Sequence, residues 1–121
     1  MALVLSIQPP LIGDEKVIIA VASEEDTLES AVSHTAARCP FYIIVDGEGK
    51  ILEAVENPYK DTRGGAGVSA AEFLAGKNVT TLIAGNVGNK MKEELDAQEI
   101  AYLEFEGTVE EAIKKTLAEE S

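Results

Sequence analysis

The chain has 121 residues, of which 22 are acidic and 10 are basic, giving a formal net charge of −12 at pH 7. One domain of this length buries enough apolar surface to fold without disulfides or structural metal ions. The acidic balance excludes partners that are themselves polyanions, so we expect no binding to nucleic acid or to an anionic membrane surface.

The cysteine count and the short apolar runs indicate a reducing compartment. Cys39 is the single cysteine, which excludes an internal disulfide and a zinc site built from several cysteines. The apolar runs are too short to span a membrane, and the first residues lack the basic start of a signal peptide. We therefore expect a soluble, cytoplasmic protein.

The first half of the chain predicts a central strand followed by a hairpin. Residues 1–15 are poorly patterned, and we interpret them as an extension or an edge segment before one domain over residues 16–121. Residues 17–22 form a continuous apolar run rich in β-branched residues, as in a strand buried on both faces. After a long acidic loop, residues 41–45 and 50–55 predict two antiparallel strands joined by a polar glycine turn.

The second half of the chain alternates helices and strands. The pattern predicts a helix over residues 66–75, a buried strand over 79–84, a helix capped by Asn89 and an alternating strand over 100–105. The inward-facing positions of the first of these helices are expected to be Val68, Ala71, Leu74 and Ala75.

The last helix is the clearest element. Thr108 and Glu111 have the spacing of a capping box, in which each side chain satisfies the other residue's backbone N–H. The positions that follow at helical spacing on one face are Val109, Ala112, Ile113, Thr116 and Leu117. Together the elements predict an α/β fold with a mixed five-stranded sheet, an antiparallel hairpin, right-handed crossovers and flanking helices.

The connections at one edge of this sheet predict a binding cleft. Ligands of such sheets bind where the carboxyl ends of parallel strands meet. The sequence places there the loop over residues 23–38, the loop over residues 57–67 and the turn over residues 85–89. We expect these three segments to converge.

Glycine-bearing turns at three predicted helix starts favour an anionic ligand. They lie at residues 63–67, 85–89 and 107–111. A helix start has unpaired N–H groups and the positive end of the helix dipole, and glycine lets a ligand approach that backbone closely. The alternative is that the glycines only turn the chain, because no dinucleotide-binding fingerprint or phosphate loop is present. The candidate ligand-binding residues are Ser23, Arg38, Arg63, Gly65, Gly67, Gly85, Asn86 and Gly88.

Few side chains have metal-binding or catalytic chemistry. His34 is the only histidine, and with Cys39 it supplies two ligands at most, so a metal centre must arrive preassembled or be completed by a second chain. The alternatives are an exposed loop histidine and a buried thiol. Arg38, Lys60 and Arg63 flank the predicted cleft, either as an anion site or as scattered solubilising residues. No catalytic motif is recognisable, which predicts a non-enzymatic protein.

Six short motifs resemble a known family when they are taken together. They are 19–23 (IAVAS), 32–33 (VS) leading to 38–46 (RCPFYIIVD), 56–58 (ENP), 65–67 (GAG), 83–88 (IAGNVG) and 107–112 (GTVEEA). In this order and spacing, residues 17–117 are similar to the dinitrogenase iron-molybdenum cofactor biosynthesis family. The resemblance implies a ribonuclease H-like three-layer fold and a carrier of a preassembled iron-sulfur or iron-molybdenum cluster, with cofactor-assembly proteins as partners.

The resemblance departs from the family pattern at the histidine. The family's loop before the second strand typically reads Ser-x-His-Phe-Gly-Arg, and its histidine is suspected of ligating the cluster. When the chain is aligned on Ser33 and Arg38, that histidine falls on Thr35, and His34 lies one residue earlier. The expected metal ligands are His34 and Cys39, with no tightly bound metal in the isolated protein. Two alternatives stay open: a regulatory module that binds a phosphate-bearing small molecule without metal, and an acidic protein-interaction module.

Overall fold

Within residues 17–120, which the computed structural model describes, five strands form one mixed sheet and three helices pack on it. The predicted extension over residues 1–15 lies outside the described residues. In chain order the elements are β1 (Ile18–Ser23), β2 (Phe41–Asp46), β3 (Ile51–Glu56), α1 (Ala66–Gly76), β4 (Thr81–Ala84), α2 (Asn89–Ala97), β5 (Ala101–Glu104) and α3 (Val109–Glu120).

Strand β1 occupies the centre of the sheet, as its continuous apolar run predicts. The strand order is β3-β2-β1-β4-β5. β1 pairs antiparallel with β2 and parallel with β4, and β4 pairs parallel with β5. The predicted hairpin is confirmed, because β2 and β3 are antiparallel neighbours. The mixed five-stranded sheet predicted from the order of the elements is therefore present.

Alternate residues of β1 face two separate helical layers. Ala20 and Ala22 belong to the core cluster that α1 and α2 cover, whereas Ile19 and Val21 belong to the cluster that α3 covers. Because both faces of the strand are covered, every position from Ile18 to Ala22 is apolar and the usual alternation of polar and apolar residues is missing. The sheet thus lies between two layers of helices.

Helix α3 matches its predicted pattern. The Thr108 N–H donates to Glu111 Oε1 at 2.9 Å, and the Glu111 N–H donates to Thr108 Oγ1 at 3.1 Å, so the capping box is formed. The buried or half-buried positions on its inner face are Val109, Ala112, Ile113, Thr116 and Leu117.

Two predictions at helix starts are wrong. Asn89 is the first residue of α2 and not its cap, because the N-cap residue is Gly88 and no side chain caps the helix. Val68, expected to face the core, is 37% exposed, because it lies in the first turn of α1, where the helix borders an open cleft. Helix α1 also extends through Gly76, one residue beyond its predicted end at residue 75.

Candidate functional site

The three segments predicted to converge do meet at one edge of the sheet. β1 and β4 are parallel, so both end at this edge, and the antiparallel strand β2 begins there. The connection over residues 24–40 crosses the end of β4, where the Gly85 N–H donates to the Ser33 carbonyl at 2.8 Å. The loop after β3 joins the same connection, because the Asn57 N–H donates to the Pro40 carbonyl at 3.0 Å.

A cleft of about 380 Å³ opens where these segments meet the starts of α1 and α2. Its lining residues are Ala37, Arg38, Gly65, Ala66, Gly67, Val68, Gly88, Asn89, Lys90 and Met91. Two of them, Arg38 and Lys90, are cationic, and the described residues that line the cleft include no carboxylate, although the whole chain has a net charge of −12. The local charge of the cleft is therefore opposite to that of the protein, which favours an anionic ligand.

Both helices that begin at the cleft present unpaired backbone N–H groups to it. The first hydrogen bond within α1 runs from the Ser69 N–H to the Gly65 carbonyl (3.0 Å), and in α2 it runs from Lys92 to Gly88 (2.9 Å). Within residues 17–120, the intervening N–H groups have no acceptor, and neither helix has a side-chain cap. Two uncapped helix starts that open into one cleft can donate these N–H groups to an anion.

Glycines allow the two helix starts to approach each other. A Cβ on Gly67 would lie 3.0 Å from the Met91 Cβ and 3.3 Å from the Met91 Cα, closer than side-chain carbons normally pack. Gly65, the N-cap residue of α1, has a φ of 70°, a left-handed conformation that glycine adopts without strain. These two glycines therefore shape the cleft as well as line it.

The third glycine-bearing turn does not form such a site. At the start of α3, the Val109 N–H donates to the Ser30 carbonyl at 2.9 Å, and the Glu110 N–H donates to the Leu28 carbonyl at 3.0 Å. The capping box satisfies the next N–H group and the one before them. This helix start is therefore closed by the protein itself.

The Arg38 side chain spans the border between the cleft and the loop after β3. Its Nη1 donates to the carbonyls of Lys60 at 3.3 Å and Thr62 at 2.5 Å. An arginine held in this way loses less conformational freedom when it binds an anion than a mobile one does. Arg38 is thus a partly preorganised cation at the cleft.

Two residues of this site were not predicted from the sequence. Asn57 is 1% exposed, and its side-chain amide donates to the carbonyls of the two residues that flank Arg38. Its sequence position before Pro58 is equally typical of an exposed turn. Lys90 lines the cleft in the first turn of α2. A cation there is disfavoured by the helix dipole, so a lysine directly after a predicted helix start is a signal that could have identified an anion site.

The two predicted metal ligands lie in different environments. His34 is exposed beside Gly85, whose added Cβ would lie 3.3 Å from His34 Nδ1, and it is outside the lining of the cleft. Cys39 is fully buried, and its thiol donates to the Ala36 carbonyl at 3.8 Å. Burial raises the pKa of the Cys39 thiol to about 12. The thiol is therefore protonated at neutral pH, which opposes a role as a thiolate ligand.

The other candidate residues lie outside the lining of the cleft. Ser23 is buried, and its hydroxyl is used within its own loop. Gly85 serves close packing, since a Cβ there would lie 2.8 Å from the His34 Cα. Arg63 and Asn86 are exposed and do not line the cleft. The predicted binding residues that the structure brings together at the cleft are Arg38, Gly65, Gly67 and Gly88.

The chain's own metal-binding capacity is small. In the part of the chain that the structure describes, no group of three or more histidine, cysteine or acidic side chains is arranged to hold a metal ion. Among the helices of residues 17–120, none has the length and apolar character needed to cross a membrane.

Solved structures of similar proteins share this fold. The apo form of the orange protein from Desulfovibrio gigas is 31% identical, with a TM-score of 0.79 over 84% of this chain and 88% of that chain. A NifB-like protein of the DUF35 family from Thermotoga is 38% identical, with a TM-score of 0.71 over 83% and 86%. A dinitrogenase-like protein from Methanocaldococcus jannaschii is 16% identical with a TM-score of 0.60 over 87% and 91%, a likeness of fold alone.

The sequence comparison points to the same group of proteins. A comparison with curated proteins gave no match. Residues 15–119, however, match the family described as dinitrogenase iron-molybdenum cofactor. This match spans most of the chain and includes every strand and helix described above, apart from the last residue of α3. The chain therefore belongs to the dinitrogenase iron-molybdenum cofactor family.

Proposed function

We propose that the protein binds a preassembled, anionic metallocluster in the cleft and carries it without catalysing a reaction. Membership of a family linked to the iron-molybdenum cofactor supports this role. The observation that carries the proposal is the cleft itself, in which two uncapped helix starts meet Arg38 and Lys90. Backbone N–H groups and cations together recognise negative charge.

The chemistry of the lining fits a cluster that arrives with its own ligands. Proteins hold iron-sulfur clusters through thiolate or imidazole side chains, and the described lining residues supply neither of these groups. The open N–H groups instead donate to sulfur or oxygen atoms on the surface of the cluster. Ala37, Val68 and Met91 offer apolar contacts to its less hydrated faces.

His34 remains the proposed direct ligand, although it lies outside the lining of the cleft. It is exposed and lies in the same connection as Ala37 and Arg38, which line the cleft. A cluster that extends from the cleft toward Gly85 meets the imidazole there. Cys39 is left out of the proposed ligand set because its thiol is buried and protonated.

A phosphate-bearing small molecule is the second candidate, because phosphate oxygens accept from the same open N–H groups. The cluster is preferred, since the family whose model matches the chain is linked to the iron-molybdenum cofactor. We further place the carrier in the cytoplasm among cofactor-assembly proteins, and we assign its three-layer architecture to the ribonuclease H-like type.

Anaerobic titration tests the cluster proposal. The isolated chain, expected to contain no tightly bound metal, is titrated with iron-molybdenum cofactor and with a synthetic cubane iron-sulfur cluster while visible absorption is recorded. We expect saturable binding that Arg38→Ala weakens by about tenfold, the loss of roughly one charge-assisted hydrogen bond. Arg63→Ala is the matched control, because Arg63 is exposed and does not line the cleft.

The outcomes separate the candidate functions. Equal affinity of His34→Ala and the unmutated chain would remove His34 from the ligand set while leaving the cleft in place. Absence of cluster binding by the unmutated chain, with saturable binding of pyrophosphate, would replace the cluster by a phosphate-bearing ligand.

A further inference from the structure

Asn57 connects the two segments that border the cleft, and both ends of its side-chain amide are used. Nδ2 donates to the carbonyls of Ala37 at 2.9 Å and Cys39 at 3.0 Å. Oδ1 accepts from the Tyr59 N–H at 2.9 Å. The residue is only 1% exposed, so the loss of one of these bonds leaves a polar atom of the buried amide unpaired.

The contacts of Asn57 enclose Arg38 from both sides. Arg38 lies between Ala37 and Cys39, the two residues whose carbonyls the Asn57 amide holds, so its backbone is fixed. The acceptors of its guanidinium are the carbonyls of Lys60 and Thr62, in the loop that starts at Asn57. That loop is itself tied to the Asn57 carbonyl by a long hydrogen bond from the Lys60 N–H, at 3.5 Å.

The Arg38 guanidinium has N–H donors that are available to a ligand. A guanidinium has five N–H groups, and both hydrogen bonds of the Arg38 side chain start from Nη1. Nε and Nη2 have no acceptor within the described range 17–120, and the side chain lines the cleft. The guanidinium is therefore held by one nitrogen, with its other nitrogens free to meet an anion.

We propose that Asn57 is a positioning residue that fixes the Arg38 guanidinium for the anion in the cleft. This inference rests on the proposed function for its consequence in binding. The geometry of Arg38 in the free protein does not depend on that function and is tested separately.

The first test needs no ligand. The chain contains two arginines, Arg38 and Arg63, and their side-chain nitrogens are observed by ¹⁵N NMR. We expect slow rotation about Nε–Cζ and separate Nη signals for Arg38, with averaged signals for the exposed Arg63 as the internal control. In Asn57→Ser, whose hydroxyl is too short to reach both carbonyls, the Arg38 signals should average as those of Arg63 do. Separate Arg38 signals in folded Asn57→Ser would overturn the proposal.

The second test is a double-mutant cycle with a synthetic cubane iron-sulfur cluster as the probe. Asn57→Ser should weaken binding by about fivefold to tenfold, the effect of releasing one immobilised side chain, and should have no further effect in the Arg38→Ala background. Equal losses in both backgrounds would make Asn57 a structural residue only. Ile113→Val, a remote core change in α3, controls for lower stability.

Absence of cluster binding by the unmutated chain would contradict the proposed function. The NMR result would still decide whether Asn57 positions Arg38.

A conservative variant of Arg38 covers the case in which Asn57→Ser does not fold. Arg38 is exposed, so Arg38→Lys should leave the fold intact. Lysine keeps the charge, but its single nitrogen cannot be held by the two carbonyls while separate nitrogens face a ligand, as in arginine. We expect Arg38→Lys to lose most of the affinity that Arg38→Ala loses. Unchanged affinity in Arg38→Lys would show that charge alone suffices and would overturn the positioning role.

Discussion

Within residues 17–120, three helices begin after a glycine-bearing turn, but only α3 has its first backbone N–H groups bonded to acceptors of the protein itself. Carbonyls from the connection after β1 and the capping box satisfy them. The starts of α1 and α2 have no side-chain cap and face a shared cleft. A missing cap costs about 1 kcal/mol, so each open helix start makes the fold less stable than a capped start would. The difference lies in what surrounds each turn and not in the turn itself.

The charged residues in the first helical turns also differ between the closed and the open helix starts. The first turn of α3 contains Glu110 and Glu111, which the helix dipole stabilises. The first turns of α1 and α2 contain no acidic residue, and α2 has Lys90 there, where the dipole opposes it. An anion bound in the cleft would offset both costs. The closed helix start thus has a structural role, and the open helix starts have the proposed ligand-binding role.

Separating the two open helix starts should have the largest effect. In Gly67→Val the added side chain collides with Met91, whose Cβ lies 3.0 Å from the point that a Cβ on Gly67 would occupy. We expect the free energy of unfolding to fall by about 1–3 kcal/mol, as for other overpacked sites, and cluster binding to be lost. Urea denaturation and anaerobic titration measure the two effects. Gly64→Val is the matched control, because a Cβ at Gly64 meets nothing within 4 Å, and equal losses in both variants would contradict the role of Gly67.

Removing the cap of the closed helix should affect stability alone. Thr108→Ala removes the hydroxyl that accepts from the Glu111 N–H, and we expect unfolding to become easier by about 1 kcal/mol. Asn89→Ala at the start of α2 should change stability by less than about 0.5 kcal/mol, because no side chain caps that helix. Chemical denaturation compares the variants. Weaker cluster binding in Thr108→Ala would show that α3 also belongs to the site.

Local sequence patterns predicted most of the fold. The apolar run of β1 and the capping box of α3 are recognisable because their causes lie within a few neighbouring residues. The convergence of three segments followed from the parallel arrangement of β1 and β4. The exposure of Val68 was missed, because helical periodicity does not show where a helix passes the edge of the core.

The open and closed turns could not be told apart from the sequence. The start of α3 is closed by the carbonyls of Leu28 and Ser30, which are far away in the chain and have no characteristic sequence pattern. The role of Asn57 was missed for a similar reason, since its partners are carbonyls of a separate loop. Backbone carbonyls exist at every residue, so only the fold shows which of them meet a given donor.

Adding a capping side chain at the start of α2 should give it the properties of the capped start of α3. Gly88 has φ and ψ of −69° and 158°, the extended conformation of a capping residue, and a Cβ there meets nothing within 4 Å. Gly88→Asp should therefore stabilise the fold by a few tenths of a kcal/mol to about 1 kcal/mol and weaken cluster binding. Gly88→Ser is the uncharged control, expected to cap without the repulsion. Tighter cluster binding by Gly88→Asp in the same titration would show that the start of α2 does not contact the anion.

The smallest change in stability is expected at the opposite end of the sheet, where a carboxylate also accepts hydrogen bonds from backbone N–H groups. Asp46 Oδ1 accepts from the N–H groups of Lys50 and Glu48, each at 2.9 Å. These bonds, the one from Lys50 first, hold the pKa of Asp46 below its ordinary value of 3.8. Because the folded state favours the ionised form, the stabilisation is fully present above pH 3.8 and is lost as the pH falls through the lower folded-state pKa.

Asp46→Ala should therefore be less stable than the unmutated chain at neutral pH, and this difference should shrink as the pH falls below 3.8. Both hydrogen bonds of the Asp46 carboxylate are exposed to solvent, so the difference is small. Urea denaturation of both proteins across acidic pH isolates it, because all other titrating groups are common to the pair. Asp46→Asn keeps an acceptor but does not titrate, so its stability should exceed that of Asp46→Ala by an amount that does not vary with pH. The stability difference between the unmutated chain and Asp46→Ala could also stay constant down to the lowest pH. That result would mean that the hydrogen bonds to these N–H groups do not depend on the charge of the carboxylate.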